Sequence, residues 1–142
     1  MWLNFWRFRE NASTGYVLKP PYMRGTAPKM LPIRLTVVIL SLQRLPNKTA
    51  SSDILDPFVQ VEIVGPGKDS SEVKKTATIQ DNGFNAVFGG GRGEAVEFDV
   101  HDREVSMLKI CVYDEDPMQV TLVGQFAAPL TALRPGYRYA HV

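Results

Sequence analysis

The residues best placed to do chemistry in this chain are aspartates in two short stretches. Asp56 stands at Asp56-Pro57, where a polar loop meets an apolar run, and Asp53 lies just before it. Asp114-Glu115-Asp116 follows the alternating apolar run that ends at Tyr113. Carboxylates one residue apart at a strand end face the same side, as Asp114 and Asp116 would. Should the two stretches meet in space, the carboxylates converge and repel one another. A calcium ion relieves such a cluster, because it accepts about six to eight hard oxygens in flexible geometry. The competing role is structural: acidic residues are common in turns, where Asp53 or Asp56 can accept nearby backbone N–H groups. The twelve-residue spacing and central Gly of an EF-hand loop are absent.

Beyond the acidic triplet come Met118, Val120 and Leu122, apolar residues at a loop tip. They could enter a bilayer surface or pack at the end of the domain. Lys68, Lys74, Lys75 and Arg92 offer contacts to anionic lipid, although Glu72 offsets them and a charge pair on a strand also reads as a solvated face. No catalytic set is assembled: His101 and His141 are the only histidines, and neither has a nucleophile and an electrophile to work with. Gly89 to Gly93 lacks the Gly-Lys-Ser/Thr ending of a phosphate loop.

The elements that must position these residues are short strands. Ile33, Leu35, Val37 and Ile39 alternate with Arg34 and Thr36, which predicts a strand over 31–39 that runs on to about Leu42. Phe58 to Val64, Glu72 to Ile79, Ala95 to Val100, the run through Leu108, Ile110 and Val112, Leu122 to Pro129 and Tyr137 to Val142 read similarly. In the second of these strands Val59, Val61 and Ile63 are the inward set, because that choice buries no carboxylate. Asn82-Gly83 is a turn signal, since both residues tolerate positive φ. Leu130 to Leu133 reads as a short helical turn. Many short strands joined by Pro- and Gly-rich loops give an all-β, two-sheet sandwich.

The 142 residues carry 16 Lys and Arg against 15 Asp and Glu, a formal charge of +1 that argues against nucleic-acid binding. Cys111 is the single cysteine, which excludes an internal disulfide framework and suits a reducing compartment. It reads as a small packed group. No apolar run approaches the roughly 18 residues of a membrane span, so any membrane contact is expected to be peripheral. The first 30 residues stand apart. Trp2, Leu3, Phe5, Trp6 and Phe8 form an aromatic cluster without clean periodicity, and repeated Gly and Pro follow. They predict an arm folded on the sandwich, a docking surface or a membrane-facing patch. A boundary near Gly25 to Met30 separates an extension, 1–30, from a sandwich, 31–142.

Together the blocks resemble the carboxyl-terminal part of eukaryotic phosphoinositide-specific phospholipase C. Met1-Trp2-Leu3-Asn4, Phe8, Asn11 and Gly15-Tyr16-Val17-Leu18-Lys19-Pro20 resemble the end of that family's catalytic barrel. Leu45-Pro46, Asp56-Pro57, Val61-Glu62-Ile63, Asn82-Gly83-Phe84-Asn85, Val123-Gly124-Gln125 and Gly136-Tyr137-Arg138 resemble its C2 domain. The resemblance implies an eight-stranded antiparallel sandwich that packs on the catalytic barrel, with Trp2, Phe5, Trp6 and Phe8 on the barrel side. It implies calcium at Asp56, Asp114 and Asp116; Asp53 has no secure match there, though it could contribute. It also implies an acidic phospholipid surface as partner, and a cytoplasmic protein peripheral to the inner face of membranes. Two departures weaken the calcium set. Thr121-Leu122-Val123-Gly124 lacks the acidic residue that better calcium-binding members carry before the Gly, and the early first-loop position falls on Asn47, Lys48 or Ala50. The expectation is weak calcium binding, completion of the site by lipid phosphate, or a calcium-independent bracing domain. Neither histidine matches the family's catalytic ones, so this chain alone is not expected to turn over substrate.

Overall fold

The apolar alternation at Ile33, Leu35, Val37 and Ile39 forms strand β1 (Ile33–Ile39), with those four side chains half-buried and the intervening ones exposed. The computed structural model describes residues 19–46, 54–70 and 72–142. After a break at Leu40 the chain resumes as β2 (Ser41–Gln43), followed by β3 (Pro57–Val64), β4 (Val73–Lys75) and β5 (Asn85–Val87). Then come β6 (Glu94–Val100), β7 (Met107–Glu115) and β8 (Val120–Pro129). A 3-10 turn over Leu130–Ala132 occupies the expected helical position.

The eight strands among the described residues do not map one to one onto the seven stretches that alternation suggests. The first stretch splits, because β1 pairs with β6 while β2 pairs with β5. In turn, Tyr137 to Val142 is not a strand. Tyr137 and Tyr139 are 92% and 73% exposed, and the Val142 backbone occupies the space that a side chain at Gly124 would need.

β4, β3, β7 and β8 form one antiparallel sheet in that order. Its inner face presents Val59, Val61, Ile63, Leu108 and Val112 to Phe88, Val96, Phe98 and Val100, and all of these are buried. Ile33, Leu35, Val37 and Ile39 pack against the same cluster. The inward set expected for β3 is thus the buried one. Phe58, however, is also buried, on the other face, where it stacks on Tyr113 at 5.4 Å. Cys111 is buried beside them as packing, and burial pushes its thiol pKa up.

The stretch expected as a strand over Glu72 to Ile79 is regular only through Lys75. Side chains divert the ladder there. The backbone N–H of Thr76 donates to Val59 O, but the Val59 N–H donates to Thr76 Oγ1 at 2.9 Å instead of to a carbonyl. The next N–H, of Ala77, donates to the Glu94 carboxylate. Lys74 pairs with inward-facing Val61, and its Nζ lies 5.5 Å from the centre of the Phe98 ring and 3.0 Å from Glu72 Oε1.

Thr76→Val should therefore destabilise the chain by about 1–3 kcal/mol, the cost of stranding a buried N–H, while Thr76→Ser stays close to the parent. Urea unfolding of the three proteins measures the difference. Equal midpoints for Val and Ser would show that the hydroxyl does not serve the ladder.

Candidate functional site at the acidic rim

β3 begins where β7 ends, since Pro57 pairs with Asp114. Antiparallel pairing therefore brings the two acidic stretches to one rim of the sandwich. Asp114 is buried, and its Oδ1 accepts the Asp56 N–H at 2.7 Å. Asp56 in turn accepts the Asp81 N–H on Oδ1 at 2.6 Å and the Glu115 N–H on its backbone oxygen at 3.1 Å. The Asn82 N–H donates to Leu55 O, and the Leu45 and Arg44 N–H groups donate to Gly83 O and Phe84 O. Thr78 Oγ1 donates to Glu115 Oε2. Three connections are sewn together: the lead into β3, the link from β4 to β5, and the β7–β8 turn.

The local backbone explains the stitching. Positive φ falls on Asp81, at 51°, one place before the Asn82-Gly83 pair that carried the turn signal. Asp tolerates this region, and it turns the Asp81 N–H onto Asp56. Gly83 is needed for proximity, because a Cβ there would lie 3.1 Å from Leu55 side-chain atoms. The Asn82 side chain accepts the Asn85 N–H at 2.9 Å and leads the chain into β5. In the β7–β8 turn, the Asp116 N–H donates to Gln119 O. The register shifts between Val112 and Tyr113, whose partners are Gly124 and Leu122, so Val123 is the extra residue of a β-bulge.

The expected acidic residues thus divide. Asp56 and Asp114 meet, and each spends a carboxylate oxygen on a backbone donor. Among the described residues no group of three or more His, Cys, Asp or Glu is arranged to hold a metal ion. Calcium needs about six to eight oxygens, and here one oxygen each of Asp56 and Asp114 already accepts a backbone N–H. Asp53, with Asn47, Lys48 and Ala50, lies outside the described residues, as do Trp2, Phe5, Trp6 and Phe8. Lys74 and Lys75 sit on β4 with their pairing partners Val61 and Gln60, set back along β3 from Pro57. They face opposite ways, and Lys75 Nζ lies 5.3 Å from the centre of the Phe58 ring.

What the rim does display is apolar. Met118 is 97% exposed, Val120 55% and Leu122 42%. Phe84 at 72% and Ile54 at 56% join them from the other two connections. Sequence reasoning singled out the Met118 group but not Phe84 or Ile54. An aromatic directly after Asn82-Gly83 was the available signal, since a turn leaves its neighbour little to pack on.

The chain is similar to known proteins in sequence and in fold. The C2 domain family profile matches residues 33–142. The human protein named "Inactive phospholipase C-like protein 1" is 35% identical over 146 residues, covering 93% of this chain and 13% of the relative. A human "1-phosphatidylinositol 4,5-bisphosphate phosphodiesterase eta-1" is 35% identical, covering 100% of this chain and 9% of the relative. The chain therefore spans a small fraction of the length of these relatives. Among solved structures, a C2 domain of plant extended synaptotagmin 1 aligns with a TM-score of 0.58 at 23% identity, over 70% of each chain. That likeness concerns the fold.

Removing the buried acceptor should be costly. We expect Asp114→Ala to lose about 1.5–3 kcal/mol, as for a hydrogen bond to a charged group. Asp114→Asn keeps an oxygen facing Asp56 and should lose less than about 1 kcal/mol. Thermal unfolding with calcium or with chelator reads both questions. A calcium-dependent rise in Tm that Asp114→Asn abolishes would restore the metal-ligand role.

Proposed function

Because the chain belongs to the C2 domain family, a non-catalytic module, we propose that it docks a phospholipase C-like protein onto phospholipid membranes. Its apolar rim makes the contact, and calcium is not required. The observation that carries this reading is that Ile54, Phe84, Met118, Val120 and Leu122 are each exposed on connections at a rim where Asp56 and Asp114 are engaged with backbone donors. A large apolar side chain is worth about 1.5–3 kcal/mol when fully withdrawn from water. Partial insertion of a few such groups gives reversible, peripheral attachment. No helix among the described residues is long and apolar enough to cross a membrane.

The relatives' names add the expected setting. Several are named for phosphodiesterase action on 1-phosphatidylinositol 4,5-bisphosphate, and another is named inactive. In this reading the module serves a longer protein of that type at the cytoplasmic face of a membrane. Lys75, exposed on β4, would add attraction to acidic lipid; charges of this kind contribute about 1 kcal/mol each near such a surface.

Vesicle co-sedimentation tests the proposal, with mixed neutral and acidic phospholipid and with either calcium or chelator. We expect binding that agrees within about twofold between the two conditions. Met118→Asp and Phe84→Asp should each weaken it about tenfold or more, since losing about 1.4 kcal/mol of insertion is already tenfold. Vesicle binding that neither substitution alters, or no binding at all, would refute apolar docking. Binding that appears only with calcium would refute calcium independence alone.

A further inference from the structure

At the end of the sandwich away from the acidic rim, a second set of side chains converges that the membrane reading does not use. The β6–β7 turn lies there, between Val100 and Met107. Asp69, 3% exposed, organises it. Asp69 Oδ1 accepts the His101 N–H, and Oδ2 accepts the Asp102 N–H and the Ser106 hydroxyl, all at 2.8–2.9 Å. Gly65 makes room, because a Cβ there would lie 2.1 Å from Ser106 Oγ. Four backbone donors of the turn are thus engaged, His101 and Asp102 by the Asp69 carboxylate and Val105 and Ser106 by Asp102 O. That leaves the Asp102 side chain to face something else.

It faces the segment that leads into β1. The Tyr22 hydroxyl donates to Asp102 Oδ1 at 2.6 Å, and Lys29 Nζ lies 2.9 Å from the same oxygen and 3.2 Å from Oδ2. Lys29 Nζ also sits 5.7 Å from the centre of the Tyr22 ring. Pro20 is buried just before the 3-10 turn Pro21–Arg24, and Gly25 closes that turn at φ 72°. Exposed ion pairs are worth little. The Asp102 side chain, however, is only 9% exposed, and a buried carboxylate robbed of its partners is penalised heavily. Burial resists ionisation of Asp102, but the hydrogen bonds from Tyr22 and Lys29, with the charges of Lys29 and His101, hold its pKa below the usual range. Burial also leads in pushing the Tyr22 phenol up to about 12, assisted by its bond to Asp102 and by the charges of Asp102, Glu104 and Asp69. The phenol therefore keeps its donor proton throughout the neutral range.

We infer that residues 20–29 are a strap, fastened by Tyr22 and Lys29 to Asp102, that fixes the point where the preceding chain joins the sandwich. That point lies at the end opposite the apolar rim. β7 spans the distance between the two ends with nine residues, about 27 Å at about 3.4 Å per residue. The segment 20–29 therefore leaves the domain from a set place instead of acting as a free linker. This inference is independent of membrane docking.

Limited trypsin digestion of the whole chain tests it, because Arg24 and Lys29 are exposed within the strap. In the parent, cleavage after Arg24 should be slow. Asp102→Ala should accelerate it about tenfold, and Tyr22→Phe several-fold, while the urea midpoint of the sandwich with Tyr22→Phe stays at the parent value. Should Asp102→Ala unfold the domain, Tyr22→Phe decides, since it removes one oxygen from a residue outside every strand. Cleavage after Arg24 at the parent rate in Tyr22→Phe overturns the strap.

Discussion

A single buried carboxylate organises the rim. Asp114 lies at the end of β7, level with the start of β3, and its oxygen takes the N–H of Asp56. Pro57, next in the chain, has no N–H and is fixed in φ. The first donor of the β3 lead is therefore satisfied by the neighbouring strand's side chain and not by a ladder carbonyl. Asp56 repeats the device by accepting from Asp81. Two carboxylates thus fasten three connections whose backbone groups would otherwise need water. A consequence is that part of the acceptor capacity of these acids is committed to holding the connections.

Much of this was legible in the sequence because it follows from period two. The inward residues of β1, β3 and β6 are those the alternation marks, and the meeting of the two acidic stretches needs only that β3 and β7 pair antiparallel in register. The family resemblance and the all-β sandwich agree with the C2 profile over residues 33–142. What alternation could not show was where strands stop. The break at Leu40 reflects a change of partner from β6 to β5, which is a tertiary fact. The early end of β4 reflects Thr76 and Glu94 acting as acceptors for backbone N–H groups. Nothing in the apolar pattern of Glu72 to Ile79 records either one.

The candidate site was read less completely, for a related reason. Its acidic residues announce themselves by type and spacing, but their hydrogen-bond partners do not. The Asp81 donor depends on a positive φ one residue before the obvious turn pair. Phe84 and Ile54 look like ordinary core residues in sequence and emerge at the rim only because the connections that bear them are pinned there. Asp69 and Asp102 sit among polar turn residues, with no motif to set them apart. Their importance comes from contacts with residues as distant as Tyr22, eighty positions away.

The inward side of β4 carries one last implication. Lys74 points across the sandwich towards Phe98 from an outermost strand. A foreign strand annealing onto that border would close off the water around the ammonium group and its Glu72 partner and trap charge in a dry seam. Such burial is strongly disfavoured. The domain thereby carries its own guard against zipping into polymers, placed on a strand of only three residues.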